Sequence, residues 1–449
     1  MTPKFKKGSP AYPSNYRPIS LTCTCCKILE SLIANDLLDF LISHKLISSQ
    51  QHGFLKKHST CTNLLESLND WTISLSNHNS VTICYIDFQR AFDVISHNKL
   101  LHKLAAYGIS ANLLFWIKSF LTDRFHCVRI NSFLSSYLPV RSGVPQGSVL
   151  GPLLFNLFIN DITDQFNTNV TTKLFADDVK MYTNLNFPLA VSNFQAHLNL
   201  IQDWATTWQL NISYNKCNIT ELGRHPSSAP YHLNNFTIKH ISGGTDLGVH
   251  FESNLNFKIH IKEITTRALQ RSALVRRCFL SRTTDNLIKA YITYIRPLVE
   301  YASVIWSPSH ITLINAIEKV QKNFTKRLPG LKNYPYSERL NILKIQSLEH
   351  RRLLADLTFC YNIVHGLSAV TFDSMFKFRN NRALRGHSLS LEIPLTKNNL
   401  SKFFFSSRVV PPWNSLPDSL VLASNVKIFK YNLKKINLSK FLSFPSVFE

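Results

Sequence analysis

The chain has 449 residues, 45% of them hydrophobic, with 50 Lys and Arg against 27 Asp and Glu for a formal net charge of +23. That apolar content excludes a disordered polymer and suffices for two or three domains with buried cores. The charge makes polyanions the natural partners of the surface, and no apolar run approaches the ~18–20 residues of a membrane span, Leu150–Ile159 being broken by Pro152 and Asn156.

Lys4, Lys6 and Lys7 lead through Gly8, Pro10 and Pro13 into Tyr16-Arg17-Pro18-Ile19-Ser20-Leu21, an opening that leaves no room for a preceding domain and reads as that of a fragment. Nine scattered cysteines without a secretory signal point to a reduced, intracellular setting, nucleus or cytoplasm. Cys23, Cys25 and Cys26 lack the second ligand pair that a zinc site needs. Helical spacing of apolar residues runs from Cys26 to Ser43, and a second helix is expected over Thr62–Leu75. Val81-Thr82-Ile83-Cys84-Tyr85-Ile86 is a β-prone run ending on Asp87, the pattern of a buried strand with a carboxylate at its carboxyl end. Helices over Asn98–Tyr107 and Ala111–Leu121 and a hairpin over Cys127–Pro139 follow. The turn Ser142-Gly143-Val144-Pro145-Gln146-Gly147-Ser148 then precedes an apolar helix from Val149 to about Asp161.

Lys173 to Tyr182 reads as strand, tight turn and strand with Asp177 and Asp178 at the turn. A helix over Ala190–Trp208 and strands around Lys216–Leu222 and Asp246–Phe251 complete an α/β (α+β) order that suits a ferredoxin-like centre. Beyond Asn256 the periodicity is helical to Arg282, again from Asp285 to Leu298, and from Pro335 to about His365. Residues 251–350 hold 16 Lys and Arg against 7 Asp and Glu, which places positive charge on a folded, helical surface.

Nucleotidyl transfer to a 3′-hydroxyl runs on two divalent cations about 3.5–4 Å apart, held by carboxylates that converge from separate strands. Asp87 and the pair Asp177-Asp178 have that arrangement. Alone, an Asp at a strand end or an Asp-Asp turn is more often a cap or a solvated turn. Order and context change the weighing. Phe92 stands five residues after Asp87, close enough to stack on a nucleotide sugar, although an isolated Phe after a strand is ordinarily core. Gly143 and Gly147 allow close backbone approach to a duplex or nucleotide, and Gln146 can hydrogen-bond a base or sugar. A plain loop explains the glycines equally well, but not their place between the two aspartate motifs.

Tyr85-Ile86-Asp87-Phe88-Gln89-Arg90-Ala91-Phe92-Asp93, Ser142 to Pro152, and Phe175-Ala176-Asp177-Asp178 resemble, in this order, three catalytic motifs of non-LTR (LINE-type) retrotransposon reverse transcriptases. Asn15 to Leu21 and Gln51-His52-Gly53-Phe54 with Ser59-Thr60 resemble their finger motifs. Leu210-Asn211 with Lys216 is similar to the segment that brings a lysine to pyrophosphate, and Leu247-Gly248-Val249 to the primer grip. Tyr294 to Ala302 with Trp306 looks like the region after the polymerase in jockey-like elements.

The resemblance implies a right-hand polymerase with fingers and a ferredoxin-like palm over residues 1–254, a helical thumb over 255–330 and a mostly helical C-terminal region over 331–449. It implies two Mg²⁺ ions, or Mn²⁺, on Asp87, Asp177 and Asp178 with the Phe88 carbonyl as a further ligand, and Phe92 as a steric gate against a 2′-hydroxyl. Gln146 and Gly147 would contact the nucleotide, Arg17 and Lys27 grip its triphosphate, and Lys216 protonate pyrophosphate; for these three cations a solvated surface charge is an equal reading of the residues alone. Gly248, with Arg267, Arg271, Arg276, Arg277 and Arg282, would hold the primer and hybrid. Template RNA, DNA primer and dNTPs are the implied partners; oligomeric state is left open. Relatives often carry Lys at Arg90 and an Arg-rich finger in place of Leu55-Lys56-Lys57-His58, and autonomous elements carry an endonuclease, which does not fit before Tyr16. The rival reading is an inactive, truncated relic that only binds nucleic acid, against which the intact aspartates argue. A maturase-like or telomere-copying enzyme should show dedicated RNA-binding extensions, and none is recognisable.

Overall fold

The run Val81–Ile86 forms a strand with five of its six residues buried, as a run without polar alternation does when both faces are covered. In the computed structural model, which describes all residues except 166–168, 187, 225–226, 228, 380–386 and 445–449, it is the middle strand of a five-stranded sheet. With strands numbered β1 (Val81–Ile86), β2 (Thr171–Phe175), β3 (Asp178–Asn184), β4 (Asn218–Leu222) and β5 (Lys239–His240), the sheet order is β5-β4-β1-β3-β2. β1 and β3 are antiparallel with Ile86 opposite Val179, and β2 and β3 form a tight hairpin with Phe175 opposite Asp178. This register brings the end of β1, and hence Asp87, to the same end of the sheet as the Ala176-Asp177 turn. The mixed α/β class and the expected strand-turn-strand around Asp177 are observed.

Backbone contacts group the chain into two compact units: residues 1–59, 81–221 and 225–241, and residues 60–80, 222–224 and 242–449. In the first, the sheet packs on the helices Gly151–Ile159, eight of whose nine residues are buried, and Ala190–Trp208. The expected helix Val149–Asp161 is shorter, passing at Asn160 into a 3-10 turn to Gln165. Its start has no side-chain cap of its own. Glu30, 1% exposed on the helix Thr24–Ser43, supplies one, its Oε2 accepting from the N–H groups of Val149 (2.6 Å) and Leu150 (3.0 Å). Lys103 is also buried. Its ammonium bonds Asp161 (2.5 Å) and the Phe158 carbonyl (2.6 Å) and lies 3.6 Å from the Trp208 ring centroid. Burial brings its pKa down to about 8 despite the aspartate.

Three local expectations change. Thr2–Phe5 and Tyr16–Ile19 pair as antiparallel strands in the proline-rich opening, where periodicity gives no signal. The hairpin begins earlier and comprises two short strand pairs, Phe125–His126 with Leu138–Pro139 and Arg129–Ile130 with Phe133–Leu134. The strand over Asp246–Phe251 is instead a hairpin, Gly243–Asp246 with Val249–Glu252, because Leu247 and Gly248 both take positive φ and reverse the chain.

The second unit is helical: Thr60–Ser76, Lys258–Cys278, Thr284–Tyr294, Ile311–Lys326, Tyr336–Leu343 and Leu348–Val364, then short helices to Leu433. Pro297 ends the run expected over Asp285–Leu298, and Arg296–Val299 is a 3-10 turn. A buried polar network ties these helices. Glu318 accepts from the N–H groups of Leu348 (3.1 Å) and Glu349 (3.2 Å) and from the Tyr336 hydroxyl, capping the helix Leu348–Val364. Asp356 accepts a bidentate pair of bonds from Arg408, at 2.9 and 3.1 Å. No helix of the described residues is long and apolar enough to cross a membrane.

Asp356→Ala strands the Arg408 guanidinium in the interior, where its side chain is 17% exposed. The expected loss of unfolding free energy is about 3–5 kcal/mol, read from the urea midpoint at unchanged slope.

Candidate active site

β1 delivers Asp87 past its last buried residue, and the chain then continues as an isolated bridge rather than a free loop. Phe88 pairs with Ile212, Ser213 N–H donating to the Asp87 carbonyl (2.7 Å) and Gln89 N–H to that of Asn211 (2.8 Å). This pairing uses the carbonyls of Asp87 and Asn211 and leaves that of Phe88, the expected further ligand, out of the bridge. It also carries the segment after Leu210 along Asp87. The 3-10 turn Tyr214–Lys216 then ends with the Lys216 ammonium 2.9 Å from Asp87 Oδ1. Sequence reasoning assigned Lys216 to pyrophosphate; the structure pairs it with a carboxylate.

Asp177 lies in the turn between β2 and β3, preceded by Ala176 with φ +56°, and Asp178 opens β3 as an exposed residue. Burial raises the proton affinity of the Asp177 carboxyl, and the nearby charge of Asp87 raises it further, while Arg17 and Lys216 oppose both. The fold has therefore brought Asp87, Asp177, Arg17 and Lys216 into electrostatic range, although Arg17 itself is an exposed residue of the strand Tyr16–Ile19. Among the described residues no three His, Cys, Asp or Glu side chains are grouped closely enough to hold one metal ion. The donor chemistry nonetheless fits a hard divalent cation: two carboxylates charge each other unfavourably, and side-chain cations supply the compensating charge.

Sequence reasoning passed over what holds this turn. Gln50–His52 runs parallel to β2, His52 N–H donating to the Leu174 carbonyl and Leu174 N–H to that of Gln50, both at 2.9 Å. The fully buried Gln51 side chain then accepts from the N–H groups of Gly53 (2.7 Å) and Ala176 (3.0 Å). Gly53 is obligatory here, since a Cβ would stand 2.4 Å from the Ala176 nitrogen. Asn156 donates to the Gly53 carbonyl at 2.7 Å. The Gln51-His52-Gly53-Phe54 motif was the available signal; that it braces the aspartate turn was not.

The glycine loop packs beside Phe92. Gly143 N–H donates to the Ile95 carbonyl and Val144 N–H to that of Phe92, both at 2.8 Å. Gln146, expected to read a nucleotide, donates to Asp93 at 2.7 Å; burial is the leading cause of that carboxyl's raised proton affinity. Gly147 has φ +110°, and a Cβ there would come within 2.6 Å of the Ser20 carbonyl oxygen. The half-buried Phe92 ring stacks on Phe155 (centroids 4.3 Å) and meets Phe54 edge-on (6.3 Å). Lys27 is exposed on the helix Thr24–Ser43.

The other expected binding residues belong to the second unit. Gly248 sits in the turn of its hairpin, where the Tyr301 hydroxyl donates to the Leu247 carbonyl at 2.7 Å. Arg267, Arg271, Arg276 and Arg277 lie on the helix Lys258–Cys278 and Arg282 in the loop after it. They do not share one face: Arg267 and Arg271 are one turn apart and exposed, whereas half-buried Arg276, nine residues from Arg267, lies half a turn out of phase. Arg267 pairs with Glu263 at 3.1 Å.

Residues 4–251 match the family model described as "Reverse transcriptase (RNA-dependent DNA polymerase)". The chain is 30% identical over 335 residues, 72% of its length and 36% of the relative's, to the RNA-directed DNA polymerase from mobile element jockey of Drosophila melanogaster. It is 29% identical over 355 residues, 74% of its length and 38% of the relative's, to the probable RNA-directed DNA polymerase from transposon BS of the same organism. It thus spans little more than a third of the curated relatives it matches. A human picobirnavirus RNA-dependent RNA polymerase is superposable at a TM-score of 0.43 and 12% identity, covering 78% of this chain and 61% of that one, a likeness too slight to add to the fold described above.

Two outcomes test the geometry. The Asp177 carboxyl, followed by carbon-detected NMR, should titrate above the ordinary aspartate range, and Asp87→Asn should lower its midpoint by removing one of the raising charges. Gly53→Ala should cost about 1–3 kcal/mol in unfolding free energy, as overpacking against backbone does, and shift the amide resonance of Ala176.

Proposed function

The chain belongs to the reverse transcriptase (RNA-dependent DNA polymerase) family, and on that premise we propose that it is the RNA-directed DNA polymerase of a non-LTR retrotransposon, adding dNTPs to a primer 3′-hydroxyl under the direction of an RNA template. The observation that carries this reading is the arrival of Asp87 and the Asp177 turn at one end of the sheet, in electrostatic range of each other and of Lys216 and Arg17.

In this reading Asp87 and Asp177, with Asp178 beside them, hold two Mg²⁺ ions, or Mn²⁺. When bound, the ions supply Lewis acidity at the attacking hydroxyl and charge compensation at the triphosphate. Lys216 now compensates Asp87, and its exposed, single-stem ammonium is free to turn to the leaving pyrophosphate once stronger positive charge occupies the carboxylates. Arg17, within electrostatic range of Asp177, supplies charge to the triphosphate, and Lys27 is assigned there with it. Phe92, fixed by stacking on Phe155, is rigid enough to exclude a 2′-hydroxyl by shape, and Gln146 reaches a nucleotide on leaving Asp93. By role, residues 1–254 are assigned to fingers and palm and 255–330 to the thumb, where exposed Arg267 and Arg271 are assigned to the hybrid's phosphates and Gly248 to the primer; Arg276 lies off that face, and Arg277 and Arg282 are assigned to nucleic acid without a shared face. Residues 331–449 carry no assigned role.

Primer extension on a poly(rA)/oligo(dT) hybrid with Mg²⁺ and dTTP tests the reading. Wild type should extend and Asp177→Ala should lose at least about 10²–10³-fold, the scale of removing one preorganised electrostatic group. A folded wild type that binds the hybrid without extending it would establish the inactive relic instead.

A further inference from the structure

Residues 124–160 contain three arginines, Arg124, Arg129 and Arg141, and no Asp or Glu. The hairpin that opens this stretch turns at Asn131, which takes the left-handed conformation (φ +53°). Every residue from Arg129 to Pro139 is exposed. Six large apolar side chains, Phe125, Ile130, Phe133, Leu134, Tyr137 and Leu138, are 57–79% exposed. The register sets Ile130 against Phe133 on one face and Arg129 against Leu134 on the other, so both faces present apolar groups to water. A ribbon wet on both faces gains nothing from these side chains in the isolated chain, and a cluster of this kind marks a surface that is covered in use. At its base lies a cavity of about 480 Å³, lined by Arg90, Arg124 and Arg141 and by the loop Ser142–Gln146. The carboxylate on its wall, Asp93, is hydrogen-bonded by Gln146.

We propose that this hairpin and the cavity beneath it bind single-stranded nucleic acid, Phe125, Phe133 and Tyr137 stacking on bases and Arg124, Arg129 and Arg141 meeting phosphates. Interleaved aromatic and basic side chains on a hairpin that carries no carboxylate of its own are what an unpaired strand requires: flat apolar faces for unstacked bases and cations for its backbone. The charge selects this occupant over a second copy of the chain, which would bring its own excess of +23 to the contact. A duplex is a poorer fit because its base faces are already stacked on each other. The cavity joins the hairpin to the Ser142–Gln146 loop, which is hydrogen-bonded to the Phe92-Asp93 turn, so a strand lying on the hairpin is led toward the segment that follows Asp87. The inference rests on this surface alone and holds whether or not the carboxylates support synthesis.

Fluorescence anisotropy of a labelled oligouridylate of about 12 nucleotides, titrated with the full chain without primer, dNTP or divalent ion, tests it. Phe133→Ser with Tyr137→Ser should weaken binding about tenfold or more for each base stack lost. The same variant should erase the preference for this oligomer over a duplex competitor of equal length. Arg129→Gln with Arg141→Gln should lower the slope of log affinity against log salt by about one for each cation removed. All four side chains are exposed, and far-UV circular dichroism checks that the variants fold. Asp177→Ala should bind as wild type does, which separates failure of this surface from failure of synthesis. Affinity and salt slope unchanged in both hairpin variants would overturn the proposal, as would a hairpin variant that changes only the oligomeric state in light scattering.

Discussion

Two like charges must be kept close together at the end of an apolar sheet, and much of the first unit is built around that requirement. In a partly desolvated site two carboxylates repel more strongly than they would in water, and the proton affinity of Asp177 is raised first by burial and then by the charge of Asp87. Backbone hydrogen bonds, not side-chain contacts between the acids, hold them there. The antiparallel register of β1 on β3 brings their ends together, and the bridge of Phe88 to Ile212 carries the backbone past Asp87 without a loop that could swing away. Gln51 reaches in from a segment about 125 positions earlier to hold the amide of Ala176. A strained turn and an unfavourable charge pair are thus retained because the surrounding pairing over-determines them.

The loop that flanks this site is held in the same way. Its glycines stand where carbonyl groups of Ser20, Phe92 and Asp93 leave no room for a Cβ. Glu30, buried on a helix far away in sequence, anchors the amides immediately after the loop, so the loop is fixed at both ends. Gln146 and Asp93 satisfy each other, and Lys216 satisfies Asp87. These polar side chains are occupied by one another. The arrangement explains how strongly polar groups tolerate partial burial.

The part of the site legible in the sequence was the part written in local pattern. Asp87 after an apolar run, the Asp177-Asp178 turn and the glycine loop announce themselves because strand ends, tight turns and positive φ select residue types directly. The contacts of Gln51, Gly53 and Glu30 did not, even though Gln51 and Gly53 stand in a recognisable motif, because nothing within several residues of a buried Gln or Glu shows which distant amide it will meet. Lys216 was found and its pairing with Asp87 was not, since that pairing depends on the bridge formed by Ile212. The arginines of Lys258–Cys278 look like one basic stripe when counted along the chain, yet helical phase separates Arg276 from Arg267 and Arg271.

By itself, then, the sequence determined the alternation of strand and helix, the position of the acidic residues at strand ends and turns, and the positive field around them, because each follows from side-chain periodicity, turn chemistry or net charge. Only the tertiary structure decided which strands are neighbours, which cation meets which carboxylate, and that the Phe125–Pro139 hairpin leaves its apolar residues in water. Those outcomes rest on contacts between residues tens to more than a hundred positions apart, whose free energy belongs to the pair and is written in neither residue's local surroundings.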